Sequence, residues 1–519
     1  MKRLAIIIIS FFIFFPCISQ AISPEEIQSL EAKLESWDIE EAWSEMKGQL
    51  LKEPKNPQLL ELASHIAFHR GEYQEAQRLI RSAIAAGGDD EKRKGFSLFV
   101  EETIGAITPL KKYESPHFII SLDEKQDGFL ADYLKEALEN TYEVLARAYG
   151  FRPKEKIRVE IFPNARAFYY ASSLQARDIE IGAVGITKFN KLMLLSPGAL
   201  VYGYRWLDAI SHEYVHYLIV RMTANKAPIW FHEGLAKYEE TRWREGPSYL
   251  SSPYQSLLSR AMAERKLIPF DKMEPSVVRL ETPEEVQLAY AQAASAIEFI
   301  IAKAEYKGLQ GIMNHMATQR KRGAGESIRE ILGSTFDEFE RSWKEFLASK
   351  ELKERGGTHV RRHKIKEGRA DEERLDMDEI KSHVARNRAH LGDKLKERGR
   401  MGAAVLEYRR ALSEVPDSIS ILNKLSSALI QTHKDEEALP LLNRAREIYP
   451  DHPTAYTNLG KIHLKLKDFK KAKEAFLESI QINPFNPEVH QGLAEAYEKL
   501  GEQHLAAREK EIAKKLRER

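Results

Sequence analysis

Two histidines four residues apart are the residues of this sequence best placed to do chemistry. His212 and His216 fall in a stretch that reads as helix, where positions i and i+4 share one face, so both imidazoles can reach one metal ion. Glu213 follows the first histidine, and its carboxylate can act as general base towards a metal-activated water. A catalytic zinc site needs a third protein ligand, and Glu233 is the candidate.

The surroundings of this motif favour a metal site over an ordinary helix. Apolar residues flank it at Leu207, Ile210 and Leu218, which indicates a buried helix whose polar side chains need a reason to be there. The alternative is a pair of hydrogen-bonded histidines with a surface glutamate, and for Glu233 a solvated carboxylate on the next helix. We favour metal ligation for all three residues.

The segment Trp230-Phe231-His232-Glu233-Gly234-Leu235-Ala236 resembles the W-x-x-E-G-x-A element that follows HExxH in gluzincin zinc metallopeptidases. The similarity is strongest to the peptidase MA-like domains of bacterial proteins with tetratricopeptide repeats, and it spans about residues 113–348. The resemblance implies an α+β zincin-like domain that binds one zinc ion per chain and hydrolyses peptide bonds. Its early elements match strands at 117–121, 156–162, 182–186 and 192–195 and a long helix over 130–149, and later helices match 290–295 and 336–343.

One position departs from the family pattern, and one role is carried only by the resemblance. The best-known gluzincins have an aspartate four residues after the ligand glutamate, where this chain has Lys237. Metal-bound histidines need such hydrogen-bond acceptors, and Asp208, Glu239 and Glu240 are the candidates here. The resemblance implies that Tyr290 donates a hydrogen bond to the oxyanion of the transition state, although a tyrosine on an amphipathic helix is also a common core or rim residue.

Composition excludes some classes of partner and ligand. The chain has 79 Lys and Arg against 78 Asp and Glu, so no overall field favours nucleic acid or a membrane. The one cysteine, Cys17, allows no internal disulfide and no cysteine zinc site in the mature chain. Lys2 and Arg3 precede an apolar run and small residues at Ser19-Gln20-Ala21, which predicts a secretory signal over residues 1–21. Lipoprotein attachment at Cys17 is the competing interpretation, which the preceding Phe14-Phe15-Pro16 disfavours.

Both flanks of the central domain are predicted to be helical. The segment Ala63 to Ala76 reads as helix, glycine turn, helix, and either one tetratricopeptide unit or an ordinary helical hairpin fits it. At the C-terminus, three sets of residues recur every 34 positions, which is the tetratricopeptide period and predicts about four stacked helix pairs in an α-solenoid. The sets are Leu391, Leu425, Leu459 and Leu493; Ala404, Ala438, Ala472 and Ala506; and Pro416, Pro450 and Pro484.

These patterns divide the chain into a signal (1–21), an N-terminal helical region (22–105), a metallopeptidase domain (106–350), a charged linker (351–382) and a repeat domain (383–519). The basic stretch Arg355 to Arg369 predicts a mobile linker, with contact to anionic envelope material as the alternative. We therefore expect an exported, periplasmic zinc metallopeptidase with no transmembrane span in its mature chain, whose repeats recruit a protein substrate or partner. A catalytically silent scaffold with a zinc site and a zinc hydrolase acting on another bond remain the alternatives.

Overall fold

The chain divides into two compact units, one up to Glu101 and one from Glu102 onward. This computed structural model describes residues 23–87, 90–107, 109–174, 183–244, 249–358, 363–366, 368 and 371–519. The predicted secretory signal therefore lies outside the described residues. None of the helices in the described part of the chain has the length and apolar character that a membrane crossing requires.

The N-terminal unit is built from helices, as the absence of strand-like alternation predicts. They are α1 (Pro24–Glu35), α2 (Ile39–Lys52), α3 (Pro57–His69), α4 (Tyr73–Gly87) and α5 (Glu91–Ala106), which continues past the boundary between the units. The predicted hairpin is α3 and α4, joined at Gly71 with φ of 75°. The Ser64 hydroxyl donates to the Ala76 carbonyl at 2.7 Å, which fixes the two helices side by side.

A five-stranded mixed sheet opens the second unit, in the order β1-β2-β3-β5-β4. The strands are β1 (Lys111–Glu114), β2 (Phe118–Leu122), β3 (Ile157–Phe162), β4 (Gly185–Lys188) and β5 (Lys191–Leu195). Strands β2, β3 and β5 are parallel, and β1 and β4 run antiparallel at the two edges. The central strands β3 and β5 are mostly apolar and almost wholly buried, as parallel strands covered on both faces require, and their buried Glu160 and Lys191 pair at 3.2 Å.

Helices complete the central domain around this sheet. They are α6 (Glu124–Asp127), α7 (Ala131–Tyr149), α8 (Ala165–Ser172), α9 (Trp206–Thr223), α10 (Ile229–Glu239), α11 (Ser252–Ala263), α12 (Pro283–Thr318), α13 (Gly325–Leu332) and α14 (Phe336–Ser349). Helix α12 begins at a capping box of Thr282 and Glu285 and is kinked at Glu305, whose φ is 55°. The α+β fold expected for this region is confirmed.

The C-terminal region is the predicted helical array. A short helix, α15 (Asp371–Glu379), precedes four helix pairs. These are α16 (His383–Glu397) with α17 (Met401–Glu414), α18 (Ile419–Gln431) with α19 (Asp435–Ile448), α20 (Pro453–Lys465) with α21 (Phe469–Ile482), and α22 (Pro487–Leu500) with α23 (Gln503–Arg517).

The periodic residues of the array occupy equivalent positions, with one exception. The four alanines are at most 2% exposed. Leu425, Leu459 and Leu493 are buried, whereas Leu391 remains 48% exposed in the first pair. The 34-residue leucine period therefore predicted the repeats correctly, but it did not predict that Leu391 is exposed.

The basic segment between the domain and the repeats is packed where a mobile linker was predicted. The Val201 amide donates to the Lys364 carbonyl at 3.0 Å and the Lys366 amide to the Ala199 carbonyl at 2.8 Å, forming a short antiparallel bridge. Gly357 has φ of 79°, and a Cβ there would lie 2.6 Å from the Asp417 carboxyl carbon. Gly357 thus permits close packing on the repeats, while the mobility predicted for Arg355 to Arg369 stays a prediction.

Candidate active site

Helix α9 carries both histidines of the motif on one face, and a short turn brings the third residue to them. The helix ends at Thr223, where Ala224 and Asn225 adopt left-handed conformations with φ of 48° and 58°. The Asn225 amide returns to the Val220 carbonyl at 3.0 Å, which caps the helix. Two consecutive left-handed residues reverse the chain within the few positions that the sequence leaves before α10.

Gly234 determines how closely α10 approaches the next long helix. A Cβ at this position would lie 2.5 Å from the Ala293 carbonyl oxygen of α12, so any other residue would force the helices apart. Such close approach of two backbones is a recurrent use of glycine. The neighbouring Glu233 is thereby held at the depth of the two histidines.

The structure brings His212, His216 and Glu233 together as predicted. The Glu233 Oε2 atom lies 3.5 Å from Nε2 of His212 and 3.6 Å from Nε2 of His216. One ligand atom from each residue falls within 4.8 Å of the others, and no second group of three metal-ligating side chains occurs among the described residues. Tetrahedral zinc with bonds of about 2.0–2.2 Å places its ligand atoms about 3.4 Å apart, so this donor set fits the metal.

Charge around the cluster is consistent with a cation-binding site. Burial by itself would raise the pKa of Glu233, but the imidazoles of His216 and His212 outweigh it and hold the pKa below its usual range. Burial would lower the pKa of His212, but the carboxylates of Glu233 and Glu240 outweigh it and raise the pKa to about 10. Without a metal, the site therefore keeps a proton in the place of the cation.

Glu213 points from α9 towards the edge strand β4. Its Oε2 lies 2.8 Å from the Thr187 hydroxyl, which is also 2.7 Å from the Glu213 carbonyl oxygen. A Cβ at Gly185 would lie 2.6 Å from Glu213 Oε1, so a larger residue there would displace this carboxylate. Burial raises the pKa of Glu213, which makes its carboxylate a stronger base. Thr187 and Gly185 were not identified from the sequence, because neither belongs to the motif.

Glu240 is the acceptor that orients the first ligand. Its Oε2 lies 3.1 Å from Nδ1 of His212, and its Oε1 accepts from the Lys237 ammonium. The other two candidates lie elsewhere, since Asp208 pairs with Arg244 and Glu239 with Arg242. Lys237 stands where the best-known gluzincins have aspartate, three residues before Glu240 along the chain. Its ammonium group thus holds the Glu240 carboxylate that orients His212.

Two further side chains border the cluster. Tyr290, on α12, has its ring centroid 6.3 Å from that of His212, and burial raises the pKa of its hydroxyl well above the usual value. Its hydroxyl thus remains a donor at neutral pH. His232 lies 5.6 Å from His216 between ring centroids, and burial lowers its pKa to about 3. A neutral His232 adds no charge next to the ligands.

With this geometry established, residues 137–349 match the family model of the Peptidase MA superfamily, and residues 417–484 match that of the tetratricopeptide repeat. Residues 137–349 are thus similar to the Peptidase MA superfamily. The Peptidase MA match contains all five residues predicted for the site, and the repeat match lies inside the observed helical array. Together the domain and the repeats indicate a protease-like protein with interaction repeats.

Curated relatives of the chain are similar to it over limited lengths. It is 33% identical over 85 residues to the type IV pilus assembly protein PilF of Pseudomonas aeruginosa, covering 16% of this chain and 34% of that protein. It is 30% identical over 98 residues to the Hsp70-Hsp90 organizing protein of Triticum aestivum, covering 19% and 17% respectively. The similarity therefore spans about a third of the first relative and about a sixth of the second.

Solved structures were also compared with the chain. The MamA structure from MSR-1 has 24% sequence identity and a TM-score of 0.24, and covers 29% of this chain and 88% of MamA. The first TPR of Spaghetti (RPAP3), bound to an HSP90 peptide, has 20% identity and a TM-score of 0.23, and covers 24% of this chain and 98% of that structure.

Proposed function

We propose that this protein is an exported zinc-dependent peptidase whose Peptidase MA domain hydrolyses peptide bonds and whose repeats bind a protein substrate or partner. One observation carries the proposal. Glu213, a buried carboxylate with a raised pKa, lies on the ligand helix beside a complete His, His, Glu cluster. A purely structural zinc site has no use for this carboxylate, whereas hydrolysis needs a base at that place.

Each side chain of the site has a defined role in the proposed hydrolysis. Zinc held by His212, His216 and Glu233 would supply Lewis acidity, which polarises a carbonyl and lowers the pKa of water. Glu213 takes one proton from the attacking water as the oxygen adds to the carbonyl carbon. The same carboxyl group then gives that proton to the amine nitrogen as the C–N bond breaks. The Tyr290 hydroxyl group donates a hydrogen bond to the negatively charged oxygen of the tetrahedral species.

The position of β4 at the edge of the sheet favours a substrate that binds in an extended conformation. The strand pairs with β5 on one side only, and it is the last strand of the described sheet on that side. An edge strand offers unpaired backbone groups to which another chain can add. Since Gly185 and Thr187 of this strand both contact Glu213, a peptide aligned along β4 would lie next to the base.

The repeats and the N-terminal residues support the remaining parts of the proposal. The relatives matched by the chain are named for pilus assembly and for organising Hsp70 with Hsp90, which are tasks of binding other proteins. We propose that the repeats of this chain likewise bind a protein. Export rests on the charged and apolar segments before Ala21, and N-terminal sequencing of secreted or periplasmic protein tests it.

The decisive experiment compares wild type with Glu213→Gln after zinc content has been measured on both. A broad mixture of unfolded proteins serves as substrate, and new termini are read by mass spectrometry. The glutamine keeps the size of the side chain but cannot accept the proton, so we expect equal zinc and a loss of turnover of about 10²–10⁴-fold. Equal zinc without cleavage by either protein would favour a silent scaffold, and equal zinc with hydrolysis of an added ester substrate but of no peptide bond would favour a different hydrolase. Absence of zinc from folded wild type would contradict the metal site itself.

A further inference from the structure

The third repeat is bound directly to the start of the helix that carries the metal ligands. The Trp206 indole Nε1 donates to the Ile480 carbonyl at 3.0 Å, and the Tyr204 amide donates to the Ile482 carbonyl at 2.9 Å. Both acceptors lie at the end of α21, so the first turn of α9 is hydrogen-bonded to repeat backbone. Because backbone groups are held by their own helix, they provide a firmer support than mobile surface side chains.

The fit at this contact leaves no space for a larger residue. Gly203 has φ of 76°, and a Cβ there would lie 2.0 Å from the Ile482 carbonyl oxygen. Gly198 is similarly close to the repeats, since its Cβ would lie 2.7 Å from the ring of Phe485. At Gly203 the two segments therefore meet backbone to backbone, and small shifts of the repeat would be transmitted to α9.

A carboxylate of the same repeat joins two arginines of the peptidase domain. Oε2 of Glu478 accepts from Arg205 at 2.8 Å, and Oε1 accepts from Arg244 at 2.9 Å. The side chains of Arg205 and Arg244 are only 18% and 12% exposed, so their charges are largely removed from water. Arg205 also pairs with Asp451 at 2.7 Å. Removing one member of such a network leaves a partly buried charge without its partner.

Arg244 extends this network to the ligand helix itself. It pairs with Asp208 at 2.9 Å, and Asp208 also accepts from the Trp243 indole at 2.9 Å. Asp208 lies four residues before His212, on the same face of α9 and one turn nearer its start. Glu478, Arg244 and Asp208 thus form a chain of contacts from the third repeat to the turn of α9 that precedes His212.

We propose that Glu478 is a positioning residue for the metal site, so that the third repeat is a working part of the peptidase and not only a binding module. It acts through Arg244 and Asp208 and touches neither metal nor substrate. The consequence for catalysis rests on the proposed peptidase activity, whereas the consequence for metal geometry does not. A partner that displaces the third repeat would lower turnover by the same route.

Glu478→Gln tests the proposal in the full-length protein, with Glu488→Gln as the matched control. Glu488, on the fourth repeat, makes a single exposed ion pair with Lys461 at 2.7 Å, so its substitution removes the same charge without touching α9. The readouts are the visible absorption spectrum of the cobalt-substituted protein, zinc affinity by chelator competition, and kcat and KM separately.

For Glu478→Gln we expect an altered cobalt spectrum, zinc affinity lower by about 3–10-fold, and a reduced kcat with little change in KM. This loss is smaller than the 10–100-fold typical of groups that hydrogen-bond a ligand directly, because Glu478 acts one step further out. The control variant should match wild type in every readout. A Glu478→Asp variant, which retains the charge but shortens its reach, should fall between wild type and Glu478→Gln.

An unchanged cobalt spectrum and unchanged zinc affinity in folded Glu478→Gln would overturn the proposal. If thermal unfolding shows that this variant does not fold, the same two readouts on Glu478→Asp decide the matter with the same criterion. If wild type cleaves nothing, the spectrum and the affinity still test the positioning role, so failure of the proposed activity is distinguished from failure of this inference.

Discussion

The ligand cluster and the third repeat act on the same helix, but they reach it from very different distances along the chain. His212, His216 and Glu233 come from α9 and α10, which one short turn connects. The groups that hold the start of α9 lie far away in sequence: 274 residues separate Trp206 from Ile480, and 234 separate Arg244 from Glu478. Helix α9 thus carries residues that meet a third residue nearby in sequence, whereas the groups that hold its start come from far along the chain.

This difference shows what a helical motif specifies and what it leaves open. Spacing by four residues places two imidazoles on one face whatever the rest of the chain does. It does not decide how that face is directed towards the third ligand. In this protein that orientation depends on Glu240 close by and on the third repeat at a distance, and the following variants separate the two contributions.

The largest effect after loss of the base should come from Glu240→Gln, on the local side of the comparison. The amide cannot attract the Nδ1 hydrogen of His212 as the carboxylate does, so zinc affinity should fall by about 10–100-fold. Chelator competition measures it. Glu239→Gln is the matched control, because the neighbouring Glu239 contacts Tyr149 and Arg242 and not a ligand. Equal zinc affinity in the Glu240 variant and wild type would remove Glu240 from the metal site.

The pH dependence of metal binding should follow from the charge on His212. In the metal-free protein the nearby carboxylates raise its pKa to about 10, above the ordinary value of 6.5, so the ring is protonated at neutral pH. Zinc takes the neutral ring and must displace that proton, and its apparent affinity should therefore rise about tenfold per pH unit between pH 7 and 9. The same shift stabilises the metal-free protein fully below pH 6.5, and this stabilisation disappears as pH rises through 10.

Calorimetric titration of zinc in buffers with different ionisation enthalpies counts the released protons. We expect a release of about one proton at pH 8 in wild type and a smaller release in Glu240→Gln, which lacks one of the two carboxylates. Zinc binding with no proton release at pH 8 would show that His212 is already neutral there.

The smallest effect should come from a substitution at the contact between the fourth repeat and the central domain, away from His212, His216 and Glu233. The Tyr133 hydroxyl of α7 lies 2.7 Å from both carboxylate oxygens of Glu509, which is buried and also contacts His490 at 2.7 Å. Tyr133→Phe removes one hydrogen bond to a buried carboxylate, so the free energy of unfolding should fall by about 1.5 kcal/mol. Urea denaturation measures this change.

Tyr170→Phe is the control for that experiment, because the Tyr170 hydroxyl donates to Glu102 at 3.1 Å in an exposed contact. It should leave stability nearly unchanged. Zinc affinity and the cobalt spectrum should remain those of wild type in Tyr133→Phe. A spectral change there would mean that the fourth repeat also positions the metal, and the distinction between the two repeats would be lost.

Part of the fold was readable from the sequence, and the failures have physical reasons. Strands β2, β3 and β5 were predicted by the resemblance to peptidase MA-like domains, which implies strands at 117–121, 156–162 and 192–195. Strand β1 was missed, since Lys111–Glu114 is a charged edge strand with no buried alternation. The contacts of the linker were not predicted, because Gly357 and its basic neighbours have the composition of a mobile segment, while the structure uses the glycine for close contact with Asp417.

The sequence alone identified the residues of the proposed site: His212, Glu213, His216 and Glu233 follow from helical spacing and from the type and order of residues in one motif. It also determined the repeat array, since a 34-residue period survives in any arrangement of neighbouring domains. Only the tertiary structure decided which of three carboxylates orients His212, that Thr187 and Gly185 contact the base, and that Glu478 supports the ligand helix. These contacts join residues far apart in the chain, and packing, which no local pattern records, selects them.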